Sequence, residues 1–203
     1  CELGTRILPE DEWIFDFSFP KDGGKPNPHV WTNPPMAGDY AALIRDSLIA
    51  ADPANASVYQ SNYDAFAAKV EALDQAMEQA TATLDPSKRQ LLTYHDAYAY
   101  FADHYGWTVI GAIQPSSFEE PTPKEVADLI EQVKASGVAA IFGSEVFPST
   151  VLEQIGQETG VAYVDVLRDD DLIGAPGDPE HSWLGLMRFD YVTMVEALSL
   201  IHI

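Results

Sequence analysis

The residues best suited to chemistry are two histidines and two acidic residues, each beside the end of a predicted element. His95 directly follows a predicted strand, and His29 precedes a predicted helix. Glu145 and Asp171 follow two further predicted strands. Neutral imidazoles and carboxylates together suit a divalent transition metal. Taken singly, each of these side chains is more often a capping or surface group, so only the set predicts a metal site.

Alternating strands and helices position these residues. Short apolar runs after residue 88 alternate with helical patterns, which indicates parallel βα units covered by helices on both faces. In such sheets, ligands bind at the loops beyond the carboxyl ends of the strands, where three of the four candidates fall. The predicted strands are 90–93, 108–113, 138–142 and 162–166, and the predicted helices are 96–105, 122–136, 149–159 and 182–200.

A long helix is predicted over residues 53–84. Its apolar stripe runs from Tyr59 to Met77 in steps of three and four residues, which is typical of an α-helix. At about 1.5 Å per residue, such a helix extends about 48 Å, more than the width of one small domain. We interpret it as a strut between two lobes, with a coiled coil as the alternative. Before it, we expect a helix over 36–51 and a short strand over 13–19, where aromatic residues alternate.

Composition excludes several classes of function. The chain of 203 residues has 11 Lys and Arg against 32 Asp and Glu, a formal net charge of −21. This charge argues against a nucleic-acid partner and against docking on an anionic membrane surface. The single Cys excludes an internal disulfide and a multi-cysteine metal site. Cys1 opens the chain, and we expect it to be either an incidental first residue or a lipid-modified one.

Several motifs occur in an order that resembles a known family, the zinc- and manganese-binding extracytoplasmic solute-binding proteins of ABC importers. The resemblance covers about residues 27–200. The motifs that carry it are Pro28-His-Val-Trp31, Asp52-Pro-Ala-Asn55, Tyr94-His-Asp-Ala-Tyr98, Glu120-Pro-Thr-Pro123, Glu145-Val-Phe-Pro148, Asp171-Leu-Ile-Gly174 and Leu186-Met-Arg-Phe189.

The resemblance implies an α/β fold of two lobes joined by a long rigid helix, with the metal held between the lobes. It implies that His29, His95 and Asp171 are the metal ligands and that Glu145 lies in the second shell. Zn²⁺ is the expected cargo and Mn²⁺ the alternative, because two imidazoles and one carboxylate suit zinc. Asn27 stands where the family has Asp, which should alter local hydrogen bonding but not the ligand.

The family has a much longer segment before the His29 motif, with a further histidine ligand. Only 28 residues precede His29 here, none of them His, so we expect the N-terminal lobe to be incomplete in this chain. The expected division is 1–52 for the remnant of that lobe, 53–85 for the linking helix and 86–203 for the C-terminal α/β lobe.

The resemblance implies high-affinity metal capture outside the cytoplasm, in the periplasm or at the cell surface, and delivery to the membrane permease of an ABC importer. We expect a monomer, no enzymatic activity and no nucleic-acid partner. Two alternatives stay open. One is a metal-dependent hydrolase with the same ligands and Glu145 as general base, and the other is a surface adhesin with incidental metal binding.

Overall fold

A four-stranded parallel sheet forms the centre of the fold, in a computed structural model that describes residues 4–113, 122–144 and 150–199. The strands are β1 (Gln90–Thr93), β2 (Thr108–Ala112), β3 (Ala140–Ser144) and β4 (Ala162–Leu167), in the order β2-β1-β3-β4. All of the neighbouring strands run parallel. The α/β prediction is therefore confirmed, and the carboxyl ends of β1, β3 and β4 lie at one edge of the sheet.

Helices cover both faces of this sheet because successive strand residues point to opposite sides. Leu91 and Phe142 belong to one core, and their neighbours Leu92 and Ile141 belong to the other. The helices of the described chain are α1 (Gly4–Ile7), α2 (Pro34–Ala51), α3 (Ala56–Thr83), α4 (Ala99–Tyr105), α5 (Pro123–Ser136), α6 (Thr150–Thr159) and α7 (Trp183–Ser199). One core includes side chains from α3, α4 and α7, and the other includes side chains from α5 and α6.

The long predicted helix is present as α3, which begins later than expected. Residues Pro53–Asn55 form a 3₁₀ turn, and the α-helix of 28 residues starts at Ala56. The Asp52 carboxylate accepts hydrogen bonds from Asn55 and Tyr59 across this turn. Helix α3 is about 42 Å long at about 1.5 Å per residue. The division of the chain at residues 52 and 85 stays a prediction.

The predicted strand over 13–19 is wrong. This segment is irregular, and its backbone bonds to other loops instead of to a neighbouring strand. The Ile14 carbonyl accepts a hydrogen bond from the backbone N–H of Asn27 at 2.9 Å. The backbone N–H of Ser18 donates to the Asp96 carboxylate, also at 2.9 Å. The segment is thereby tied to the loop that follows β1. None of the described helices is long and apolar enough to cross a membrane.

Candidate metal centre

His95 is positioned by the end of β1. It comes two residues after Thr93, whose hydroxyl donates a 2.7 Å hydrogen bond to the His95 carbonyl and fixes the turn. The backbone N–H of Tyr94 donates to the Phe142 carbonyl of β3 at 2.8 Å. The loop that carries His95 therefore leaves the sheet between its two inner strands, β1 and β3. The side chain of His95 is 14% exposed. Its imidazole therefore stands at the carboxyl edge of the sheet, as the sequence predicted.

His29 is held by Asn27 in a buried loop. The His29 Nδ1 lies 2.8 Å from Asn27 Oδ1, which also accepts the His29 backbone N–H at 2.9 Å. Asn27 Nδ2 donates to the Asp96 carbonyl and to the Asp16 carboxylate, which fixes the orientation of the amide. Asn27 Oδ1 can only accept, so Nδ1 of His29 carries the ring proton. The Nε2 atom of His29 consequently carries a lone pair that can accept a hydrogen bond or bind a metal.

Electrostatics favours the neutral form of His29. Burial, followed by the nearby His95 ring, lowers the pKa of His29 to about 3. The imidazole is therefore unprotonated at Nε2 at any pH near neutrality, which is the state in which histidine binds a metal.

The two imidazoles meet through their Nε2 atoms, which are 2.8 Å apart. The rings are nearly perpendicular, at 88°, with centroids 4.7 Å apart. Because Nε2 of His29 has no proton, the Nε2–H of His95 is the donor in this contact. Replacing that shared proton by a cation would let both nitrogens act as ligands.

Asp169 completes the cluster from the loop after β4. Its side chain is 4% exposed, and Oδ2 lies 3.5 Å from Nε2 of His95. This oxygen is buried and has no hydrogen-bond partner among the described residues. Burial raises the pKa of Asp169, while the nearby His95 opposes the shift. A buried carboxylate oxygen that no donor satisfies is costly, and a bound cation would remove that cost.

Asp171, the carboxylate expected from the sequence, is exposed on the same loop. The group of metal-compatible atoms within 4.8 Å of one another contains His95, Asp169 and Asp170, but not Asp171, in the part of the chain that the structure describes. His29 is not a member of this group; His95 links the two sides, with its Nε2 atom 2.8 Å from His29 Nε2 and 3.5 Å from Asp169 Oδ2. Glu145, expected in the second shell, lies outside the described residues, as does Cys1.

Asp169 was not among the ligands expected from the sequence, although its position offers a signal. Asp169 follows the last residue of β4 by only two positions, and ligand groups in parallel sheets stand at strand ends. The role of Asn27 as the acceptor that fixes the His29 ring was also missed. Its position two residues before His29 allows both hydrogen bonds.

Long-range hydrogen bonds hold the Asp169 loop against the two histidine loops. Trp31 Nε1 donates to the Asp169 carbonyl at 3.2 Å. The Asp190 carboxylate, on α7, accepts from the Arg168 amide at 2.8 Å and from the Tyr98 hydroxyl at 3.0 Å. Asp190 is 2% exposed, and burial raises its pKa to about 8. These contacts join the segments that carry the three candidate ligands.

The parallel α/β fold and this group of imidazoles and carboxylates give the chain a candidate metal-binding site. A family model described as "Zinc-uptake complex component A periplasmic" matches residues 6–197. The chain therefore belongs to this family of extracytoplasmic metal-binding components of ABC importers, which are substrate-binding proteins and not enzymes.

Curated relatives agree with this assignment and carry the names of different metals. The iron-binding protein YfeA of Yersinia pestis is 28% identical over 176 residues, which cover 87% of this chain and 56% of the relative. The manganese-binding lipoprotein MntA of Halalkalibacterium halodurans is 25% identical, with coverage of 85% and 57%. The chain thus spans little more than half the length of these relatives.

Solved structures share the fold. The manganese-bound periplasmic metal-binding protein from Candidatus Liberibacter asiaticus matches with a TM-score of 0.80 and 26% identity, covering 95% of this chain and 70% of that chain. A structure of ZnuA matches with a TM-score of 0.70 and 27% identity, covering 85% and 60%. The implied fold of the two-lobed metal-binding proteins is therefore confirmed, with this chain covering part of it.

Proposed function

We propose that this chain captures a divalent transition metal through His29, His95 and Asp169. The captured metal is then delivered to the permease of an ABC importer. The observation that carries the proposal is the position of His95, whose Nε2 atom lies 2.8 Å from His29 Nε2 and 3.5 Å from the buried, unsatisfied Oδ2 of Asp169. Asp169 takes the role that the resemblance gave to Asp171, because Asp169 is the buried carboxylate beside His95.

Metal binding requires the ligand groups to adjust around His95. Zinc bonds of about 2.0–2.1 Å at tetrahedral angles place ligand atoms about 3.3 Å apart. The two Nε2 atoms are 2.8 Å apart, and His95 Nε2 is 3.5 Å from Asp169 Oδ2. His95 is the shared neighbour, so its ring must withdraw from His29, and His29 and Asp169 must approach each other, for one ion to reach all three ligands. The proton on His95 Nε2 moves to Nδ1 or to solvent as the metal binds.

Zinc is the favoured cargo and manganese the second candidate. Two imidazole nitrogens and one carboxylate suit zinc, and zinc also lies above manganese in intrinsic affinity for such ligands. The names of the relatives include iron and manganese, and the matching family model is named for zinc. The choice between metals is therefore the first point to test.

The tests are competition titrations of the purified, metal-free chain with Zn²⁺ and Mn²⁺ against a chelator. We expect one tight site per chain, with zinc bound more strongly than manganese. His29→Ala should abolish the tight site, because it removes a ligand whose geometry Asn27 fixes. His181→Ala is the matched control, since the His181 ring contacts the Ile173 carbonyl instead. Unchanged zinc affinity in His29→Ala would refute the proposal.

A further inference from the structure

A second group of metal-ligating side chains lies away from the first, where helix α3 packs against helix α4. Asp74 and Glu78 lie one turn apart on α3, and His104 lies in the last turn of α4. One ligand atom from each lies within 4.8 Å of the other two. We refer to these three residues as the helix cluster.

The helix cluster is partly ordered by its own contacts. His104 Nε2 lies 2.9 Å from Asp74 Oδ1, and that oxygen also accepts a 2.5 Å hydrogen bond from the Tyr105 hydroxyl. Tyr105 is anchored in the core against Met77, and the His104 ring packs on Tyr105 with centroids 4.5 Å apart. The Asp74 carboxylate and the His104 ring are therefore held in place before any ion arrives.

The helix cluster is also accessible to solvent. The side chains of His104 and Asp74 are 26% and 20% exposed, and Glu78 is exposed. An ion can therefore enter without any rearrangement of the core, and water can complete its coordination. The chain's net charge of −21 also raises the local concentration of cations.

A simple ion pair does not account for all three groups. A partly exposed His–Asp pair adds little stability by itself. Glu78 brings a second carboxylate to the same point, one helical turn from Asp74, and two acidic groups at this spacing repel each other unless a cation lies between them. One imidazole and two carboxylates from two helices form a ligand set for a divalent transition metal.

We propose that the helix cluster binds a divalent transition-metal ion as a second site, weaker than the site at His29 and His95, and cross-links α3 to α4. The ion replaces the direct contact between His104 and Asp74 and takes Glu78 as its third protein ligand. Because α4 starts four residues after His95, the second ion fixes the long helix to the element that follows the first site.

The experiment is a calorimetric titration of the metal-free chain with Zn²⁺, and with Mn²⁺ for comparison. The wild type should show a tight class and a weaker class of zinc site, about one ion each. His104→Ala should remove the weaker class and leave the tight class unchanged. Glu78→Gln, at an exposed residue with little effect on folding, should weaken the weaker class at least tenfold.

Control variants separate the helix cluster from other surface groups. Glu71→Gln, one turn before the cluster on α3, and His181→Ala should each leave both classes unchanged. Two classes retained in His104→Ala, the absence of any His104-dependent class in the wild type, or loss of the weaker class in His181→Ala would each overturn the second site. If the tight class is absent while binding that depends on His104 persists, the proposed function fails and the second site stands.

Discussion

The site at His29, His95 and Asp169 and the helix cluster offer similar ligand atoms in very different surroundings. At the first site, His29 and Asp169 are 5% and 4% exposed, and one carboxylate oxygen has no partner among the described residues. In the helix cluster, the Asp74 oxygen already accepts a hydrogen bond from Tyr105, and water reaches the ligands. The comparison predicts that burial and an unsatisfied oxygen make the first site tight, whereas proximity of ligands alone makes the helix cluster weak.

The largest expected effect concerns the buried site and not the helix cluster. His95→Ala removes the nitrogen that contacts both His29 and Asp169, so tight zinc affinity should fall at least about a hundredfold. The fold should remain, because the side chain lies at the edge of the sheet. Competition titration measures the affinity, and circular dichroism checks the fold. Retention of tight binding in this variant would show that the first site is elsewhere.

The second prediction distinguishes two carboxylates of one loop. Asp169→Asn should weaken tight zinc binding about a hundredfold, because the buried anionic ligand is lost. Asp171→Asn, two residues further along and exposed, is the matched control and should change the affinity less than about twofold. The same titration measures both variants. The reverse ranking would assign the carboxylate ligand to Asp171.

The third prediction tests whether fixed orientation, and not only ligand identity, makes the buried site tight. Asn27→Leu removes the acceptor of the His29 Nδ1–H, and zinc affinity should fall about 10- to 100-fold. The loss of buried hydrogen bonds should also lower the free energy of unfolding by about 1–3 kcal/mol. Titration and urea unfolding measure the two effects. Asn62→Leu, at an exposed residue of α3, is the control, and equal zinc affinities in the two variants would contradict the orienting role.

The smallest expected effect concerns the support of the Asp169 loop by Asp190. The pKa of Asp190 is about 8 in the folded chain, against an ordinary value of 3.8, so the folded state keeps a proton that the unfolded state loses between these values. Wild-type stability should therefore fall as pH rises through this window, and Asp190→Asn should be free of this loss.

Urea unfolding of the metal-free chain at pH 5 and pH 8 measures this effect. The stability of Asp190→Asn relative to the wild type should rise by at least about 1 kcal/mol between these two pH values. Asp165→Asn, at an exposed carboxylate of β4, is the matched control. If the difference in unfolding free energy between Asp190→Asn and the wild type is the same at pH 5 and pH 8, the raised pKa of Asp190 is contradicted.

The fold could be predicted because it rests on local periodicity. The observed strand β1 coincides with the predicted 90–93, and helix α5, predicted over 122–136, runs from Pro123 to Ser136 behind a capping box formed by Thr122 and Glu125. The prediction of a strand over 13–19 failed because an alternation of aromatic residues does not ensure that a neighbouring strand is there to pair with. Its hydrogen-bond partners, such as Asp96, lie far away in sequence.

The candidate site was open to prediction only in part. His29 and His95 could be proposed from the sequence because each stands at the end of an element. Which of three consecutive aspartates is buried beside His95 could not be predicted, because contacts distant in sequence set the conformation of their loop. Asp190 binds the Arg168 amide from 22 residues away, and Trp31 binds the Asp169 carbonyl from 138 residues away. Periodicity carries no information about such contacts.

The most direct test of the buried site is anomalous diffraction at the zinc edge from crystals of the zinc-loaded chain. The strongest peak should lie about 2.0–2.2 Å from His29 Nε2, His95 Nε2 and one Asp169 oxygen. A strongest peak that is bonded to Asp171, or that lies away from both imidazoles, would contradict the account.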